Sequence, residues 1–361
     1  MKQVRVLVVD DSATMRALIR RILEREADIT VVGEASNAQD ARTAVKALNP
    51  DVITLDIEMP EMNGLDFLDR LMRLRPTPVV MVSSLTVKGA EVTIRALEIG
   101  AIDCVAKPSS DSPYSLDRLP EAIRVAARAR PASVGRQSPV SSGNAHPSPA
   151  RLARSDVRLV AMAASTGGVE ALIRVFSQLP PNAPPIVVVQ HMPPLFSASF
   201  AQRLDRLSAV AVTEAVDGAL LGSGQAVIAP GGDRHLEVAA MPDGSLRCQL
   251  APGTLESGHC PSADRLFHSA ARAVQARAIG VILTGMGRDG AAGLLAMRQA
   301  GAHTIGQDEA TSVVFGMPNV AQRLGAVAEQ LPLGCIAEGV TRALRTSSSN
   351  RNRHHVIHQK S

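Results

Sequence analysis

Residues 4–11 read Val4-Arg5-Val6-Leu7-Val8-Val9-Asp10-Asp11. A nearly continuous β-branched run that stops on two carboxylates is the pattern of a strand buried on both faces, with polar groups at its carboxyl end. The pattern returns at Thr30–Val32, Val52–Leu55, Val79–Val82 and Ile102–Ala106, with helix-period segments in the intervals. Five β-then-α units of this kind predict a five-stranded parallel sheet covered by helices on both faces. Ligands of such sheets bind at the carboxyl ends of the strands, so the residues there matter most.

Those ends carry Asp10-Asp11, Asp56, Ser83-Ser84 and Lys107-Pro108. Taken singly each has a plain explanation: Asp11 capping a helix that starts near Ala13, Asp56 opening a turn, Ser83 ending a strand, Lys107 reaching solvent. Taken together they predict one cluster. Carboxylates that converge repel one another unless a cation neutralises them, and an oxygen-only set suits Mg²⁺. Asp10, Asp11 and Asp56 are the candidate ligands, with Asp56 as nucleophile toward a phosphoryl group and Ser83 and Lys107 stabilising its oxygens.

The α/β pattern restarts downstream, with strands expected at Arg158–Ala163, Ile186–Val189, Ala226–Ala229 and Ile279–Leu283. His235–Ala239 and Ser245–Leu250 flank Pro242-Asp243-Gly244 and predict an antiparallel hairpin insert. Arg158–Ala163 runs into Ala164-Ser165-Thr166-Gly167-Gly168 and then a helical stretch. A hydroxyl at such a strand-to-helix turn lies beside free N–H groups and the positive end of a helix dipole. That segment alone fits phosphate binding or helix capping equally well. Two further strand ends change the balance: Gln190-His191-Met192-Pro193, and Thr284-Gly285-Met286-Gly287-Arg288-Asp289-Gly290. Ser165, His191 and Asp289 then form a candidate nucleophile, base and orienting acid for acyl transfer. A structural His191 and a helix-capping Asp289 are the plain alternatives. Ser262 reads as a helix N-cap, and His235, His259 and His303 as supporting or surface groups.

Between the two patterns, residues 131–155 hold four Pro, six Ser and two Gly, a linker composition. The boundaries expected are 1–125 for the first domain, 126–155 for the linker, 156–346 for the second domain and 347–361 for a polar, disordered tail. Of 361 residues, 38 are Lys or Arg and 34 Asp or Glu. Residues 1–130 and 156–346 each carry a net charge of −1, so the basic excess lies in the linker and the tail. Neither domain has the basic face with stacking aromatics that nucleic-acid binding requires. The start of the chain holds no apolar run of the ~7–15 residues that a secretory segment needs, nor the about 20 of a membrane span. Cys104, Cys248, Cys260 and Cys335 form no C-x-x-C pair, and are expected to be reduced and mostly buried.

On these residues the first 125 positions resemble a response-regulator receiver domain, a flavodoxin-like five-stranded parallel fold. The resemblance implies that a histidine kinase is the phosphodonor for Asp56, that Asp10 and Asp11 help hold Mg²⁺, and that Ser83 and Lys107 sense the phosphoryl group. Pro108 stands where that family has a cis-proline. Cys104 departs from it at a position that is commonly aromatic. Behind a receiver and a linker, Ser165-Thr166-Gly167-Gly168, His191 and Asp289 resemble the CheB family of chemotaxis methylesterases. So do Ala229-Pro230-Gly231-Gly232, His259 with Pro261-Ser262, Gln307–Ala310 and Val314–Pro318. Ala163 departs from a common glycine.

What this implies is a cytoplasmic, phosphorylation-activated serine hydrolase with a doubly wound α/β catalytic domain. It would cleave glutamyl methyl esters on chemoreceptors, releasing methanol, and deamidate selected glutamines. The Met286 N–H is the implied oxyanion donor. Mg²⁺ would serve receiver phosphorylation only, with no cofactor for ester hydrolysis. The main alternative is a phosphorylation-gated adaptor that binds receptor helices without turnover. A nucleotide-binding output lacks the Gly-Lys-Ser/Thr grip, and a transcription factor lacks a basic recognition helix.

Overall fold

The computed structural model describes residues 3–59, 64–84, 86–108, 115–129 and 158–355. The chain divides into two compact units, one on each side of residue 137.

The first unit alternates β1 (Val4–Val9), α1 (Ala13–Leu23), β2 (Ile29–Ala35), α2 (Ala38–Leu48), β3 (Val52–Asp56), α3 (Gly64–Leu74), β4 (Val79–Ser83), α4 (Val87–Ile99), β5 (Asp103–Ala106) and α5 (Leu119–Arg128). The strands pair in parallel in the order β2-β1-β3-β4-β5. The order reverses direction beside β1, so the ends of β1 and β3 border the crevice where such sheets bind ligands. Val6 to Val9 and Val52 to Leu55 are at most 1% exposed, as strands covered on both faces must be. Ser12, not Asp11, caps α1: its hydroxyl accepts from the Met15 N–H. Asp11 is thereby left for the cluster. The described cis peptide bond lies at Cys260–Pro261 and not at Lys107–Pro108.

Helix α5 runs three residues past the expected boundary at 125. Ala126 is fully buried and carries the apolar stripe of Leu119, Ile123 and Val125 to its end. The rest of the linker falls outside the described residues.

The second unit runs β6 (Leu159–Ala164), α6 (Gly168–Phe176), β7 (Ile186–Gln190), α7 (Phe196–Leu207), β8 (Ala211–Glu214), β9 (Gln225–Ile228), β10 (Arg234–Ala240), β11 (Leu246–Pro252), α8 (Ala263–Val274), β12 (Ala278–Ile282), α9 (Ala291–Gln299), β13 (His303–Gln307), α10 (Met317–Arg323), β14 (Glu329–Leu331) and α11 (Ile336–His355). Seven strands form one parallel sheet in the order β14-β13-β12-β6-β7-β9-β8. β10 and β11 form the expected antiparallel hairpin, and its Val238 N–H donates to Ser269 Oγ on α8. Leu159, Ala161 and Ala163 of β6 join the core that holds Leu266, Phe267 and Ala270 of α8 and Leu294 and Met297 of α9. Val160, Met162 and Ala164 are equally buried on the opposite face. A doubly wound sheet results.

Three strands escape the sequence reading: β8, β13 and β14. β8 alternates exposed and buried residues at a sheet edge, and β14 has only three residues. Both are too weakly patterned to stand out. The tail also differs from expectation, because α11 continues through His355. Propagating a helix already nucleated on Ile336, Ala337, Val340 and Leu344, all buried, is far easier than starting one in a polar segment. Residues 356–361 lie outside the described residues. Among the described residues no helix is long and apolar enough to cross a membrane. Of the four free cysteines Cys104 and Cys248 are buried, Cys260 is half-buried and Cys335 exposed, so burial holds for two of the four.

Candidate functional site

The polar ends of β1, β3, β4 and β5 meet in the first unit. Carboxylate oxygens of Asp10, Asp11 and Asp56 all lie within 4.8 Å of one another. Asp10 and Asp56 are buried and Asp11 is exposed. Lys107 Nζ sits 2.9 Å from Asp10 Oδ2 and 2.8 Å from Asp56 Oδ2, a charge balance supplied by the chain itself. Burial raises the Asp56 pKa, and the Asp10 charge adds to that against the opposing pull of Lys107. Burial lowers the Lys107 pKa, but its bonds to Asp56 and Asp10 outweigh that and leave it raised. Ser83 is buried at the end of β4. Three oxygen donors with one open to solvent fit a hard dication that keeps part of its water shell.

In the second unit β6 lies between β7 and β12, at the point where the winding reverses. Ser165 follows β6, His191 follows β7, and Asp289 sits on the loop after β12, so all three rise from neighbouring strands at one rim. The Ser165 N–H donates to Thr284 O at 3.0 Å and the His191 N–H to Ala164 O at 3.1 Å. Both residues are thus pinned through the backbone of an adjacent strand end.

His191 and Asp289 meet directly: His191 Nε2 lies 2.9 Å from Asp289 Oδ2, with the two side chains 4% and 0% exposed. Asp289 also takes Ser262 Oγ–H at 2.8 Å, the Ala263 N–H at 2.7 Å and the Asp264 N–H at 3.0 Å. These donors are the N-cap and first turn of α8, where unpaired N–H groups and the helix dipole favour an anion. Burial alone would raise the Asp289 pKa, but the His191 hydrogen bond and the two N–H donors overcome it and bring it down to about 2. Asp289 therefore accepts only, and the proton between it and His191 belongs to Nε2. Nδ1 is left as the basic nitrogen, and it is buried without a hydrogen-bond partner. Among the described residues no hydrogen bond joins Ser165 Oγ to His191, as is common where such contacts tighten only with substrate bound.

The nucleophile loop is closely packed. A Cβ on Gly285 would lie 2.7 Å from Ser165 Cβ and closer still to Met317 Sδ. The Gly316 and Met317 N–H groups both donate to Gly285 O, which holds the following residue, Met286, half-buried. No described hydrogen bond uses the Met286 N–H. Gly167, the N-cap of α6, has φ 75°, a left-handed conformation open to glycine.

One supporting residue has no assignment in the sequence, and others do more there than their spacing indicates. Gln190, 3% exposed, donates through Nε2 to both Ser165 O (2.9 Å) and His191 O (3.1 Å). Its only sequence signal is a polar residue ending an apolar strand. Ser262 does cap α8, its hydroxyl accepting from the Arg265 N–H, but it also donates to Asp289, which spacing could not reveal. His235 is fully buried, Nδ1 accepting from the Ser262 N–H at 3.1 Å with Nε2 3.0 Å from Thr254 O. His259 stacks on His191 with ring centroids 3.7 Å apart. His303 is a partly exposed partner of Glu329, 3.2 Å away.

Comparisons with known proteins agree with this division. The family model described as CheB methylesterase matches residues 160–340, and that of the response regulator receiver domain matches residues 6–119. The chain is 53% identical over 336 residues to the protein-glutamate methylesterase/protein-glutamine glutaminase of Agrobacterium fabrum, covering 93% of this chain and 95% of the relative. It is 53% identical to the protein-glutamate methylesterase/protein-glutamine glutaminase 1 of Caulobacter vibrioides, covering 94% of this chain and 98% of the relative. The crystal structure of the Thermotoga maritima CheB methylesterase catalytic domain is 39% identical, with a TM-score of 0.50, covering 51% of this chain and 97% of that one. With nearly its whole length spanned by the two curated relatives, the chain belongs to the CheB methylesterase family, with a response regulator receiver domain ahead of the catalytic domain.

Proposed function

We propose that Ser165, His191 and Asp289 carry out the hydrolysis for which the family is named. The protein is a protein-glutamate methylesterase and protein-glutamine glutaminase whose catalytic domain follows a receiver. The observation that carries the residue assignment is the His191–Asp289 pair, 2.9 Å apart and shielded from water, at the strand ends beside Ser165.

In this reading Ser165 Oγ attacks the γ-carbonyl of a glutamyl methyl ester while His191 Nδ1 takes the hydroxyl proton. Asp289 keeps the other ring proton on Nε2 and stabilises the imidazolium. The oxyanion rests on backbone donors, with the Met286 N–H as first candidate. His191 returns the proton to the departing methanol or, with a glutamine substrate, to ammonia. Water then cleaves the acyl-enzyme by the same route.

The substrates in this reading are glutamyl and glutaminyl side chains of chemoreceptors on their cytoplasmic segments, which places the enzyme in the cytoplasm. A chemotaxis histidine kinase supplies the phosphoryl group to Asp56. Asp10, Asp11 and Asp56 would hold Mg²⁺, which neutralises charge on the phosphoryl oxygens when bound. Lys107 and Ser83 bind those oxygens, and the phosphorylated receiver raises the hydrolytic rate. An adaptor without turnover would have no use for a buried His–Asp pair.

The test is methanol release from methylated receptor. Wild type is expected to release methanol, and Ser165→Ala is expected to bind receptor without releasing it. Methanol release at the wild-type rate by Ser165→Ala would refute the assignment.

A further inference from the structure

The imidazole of His259 lies face to face on that of His191, with centroids 3.7 Å apart and planes 7° from parallel. A particular turn puts it there. Ser257 and Gly258 have φ of 52° and 85°, and Glu256 and His259 exchange N–H···O bonds of 3.0 Å in both directions. Two central residues at positive φ between a mutually bonded pair are the pattern of a tight type I′ hairpin turn. Cys260 and Pro261 then lead to Ser262–Asp264, whose hydroxyl and N–H groups hold Asp289. One short segment therefore grips both members of the pair, covering the ring of one and binding the carboxylate of the other.

We infer that His259 is a positioning residue for the base, its stacked ring holding the His191 imidazole so that Nε2 stays on Asp289 and Nδ1 stays available for the hydroxyl proton. This rests on the assignment of Ser165, His191 and Asp289 given above. The physical need is specific. Among the hydrogen bonds described for it, the His191 ring is held by Asp289 alone, and its Nδ1 is buried without a partner. Burying an acceptor in that way is unfavourable, so an unconfined ring would tilt or flip toward any donor in reach. A flat ring at van der Waals distance blocks both movements. It also presents a π face to the imidazolium that forms when His191 takes the proton, an attraction that an aliphatic side chain cannot supply.

The experiment compares His259→Ala and His259→Phe in the full chain, with wild type and Ser165→Ala alongside. It measures kcat and KM for methanol release from methylated receptor, and the tautomer of His191 by two-bond ¹H–¹⁵N correlation. His259→Ala should lower kcat roughly ten-fold, the scale of one aromatic contact. Its KM should stay within about twofold, and the single Nε2–H tautomer should give way to a mixture. His259→Phe, which keeps a flat ring, should restore kcat to within about threefold of wild type and restore the tautomer. A wild-type kcat in His259→Ala would overturn the inference, as would a folded His259→Phe no better than the alanine variant. Either result beside an inactive Ser165→Ala removes the role of His259 alone, whereas methanol release by Ser165→Ala removes the assignment beneath it.

Discussion

Asp289 shows why a plain and a functional reading of one residue need not compete. It receives the first N–H groups of α8 as an anion at a helix end would, and it holds His191. Asp289→Asn places an amide against donors that need an acceptor and gives Nε2 the wrong partner. We expect kcat to fall roughly 10³–10⁴-fold, as in other triads, with a loss of about 1–3 kcal/mol in stability by urea denaturation. The sign of the pH effect follows from a pKa brought down from 3.8 to about 2. The stabilisation is fully present above the unfolded value and is lost as pH falls through the folded one. The stability gap between wild type and Asp289→Asn should therefore close between about pH 4 and pH 2. Burial raises the neighbouring Asp264 pKa, followed in weight by the lowering Gly293 N–H and the raising charge of Asp289, so that residue offsets part of the trend. In the sequence Gln190 is only the polar end of an apolar strand. Its role needs two backbone carbonyls from different strands to face one amide, which no spacing rule encodes. Gln190→Glu, isosteric but without donors, should lower kcat more than it changes KM.

At the scale of elements, two devices build the site: the N-terminus of α8 as an anion holder and the glycine-lined loop after β12. Ser262→Ala removes a helix cap and one Asp289 donor together. A loss of about 1 kcal/mol is expected from the cap alone, together with a drop in kcat that a purely structural cap would not give. Gly285→Val should be more severe, since a side chain there meets Ser165 Cβ and Met317. The expected result is a folded protein, by circular dichroism, with no measurable methanol release. Strand positions and the Pro-Asp-Gly hairpin were legible because continuous apolar runs and turn residues are local signals. β8, β13 and β14 were not, since their residues become strand-like only through pairing with β9, β12 and β13 respectively. The convergence of Ser262 on Asp289, 27 positions away, is likewise a tertiary fact.

For the whole molecule, the two sheets share one logic: polar groups placed at strand ends beside the point where the winding reverses. That logic made the two-sheet plan, and the candidate residues of each domain, readable from residue order. It could not give the boundary at α5 or the reach of α11, which depend on how far a packed stripe carries a helix. If phosphorylation of Asp56 drives the output, Asp56→Ala should abolish the rise in methanol release on adding a small-molecule phosphodonor and Mg²⁺. A tenfold rise needs only about 1.4 kcal/mol of preference between two states. An undiminished rise in Asp56→Ala would disconnect the receiver site from the enzyme.

Ester hydrolysis at this site requires Ser165 and His191 to act as one unit, and the most direct measurement is a double-mutant cycle on methanol release with Ser165→Ala, His191→Ala and the pair. A shared proton transfer predicts that the double variant is no slower than the slower single variant. Losses that multiply across the two sites would mean that the residues act independently, and would contradict the account.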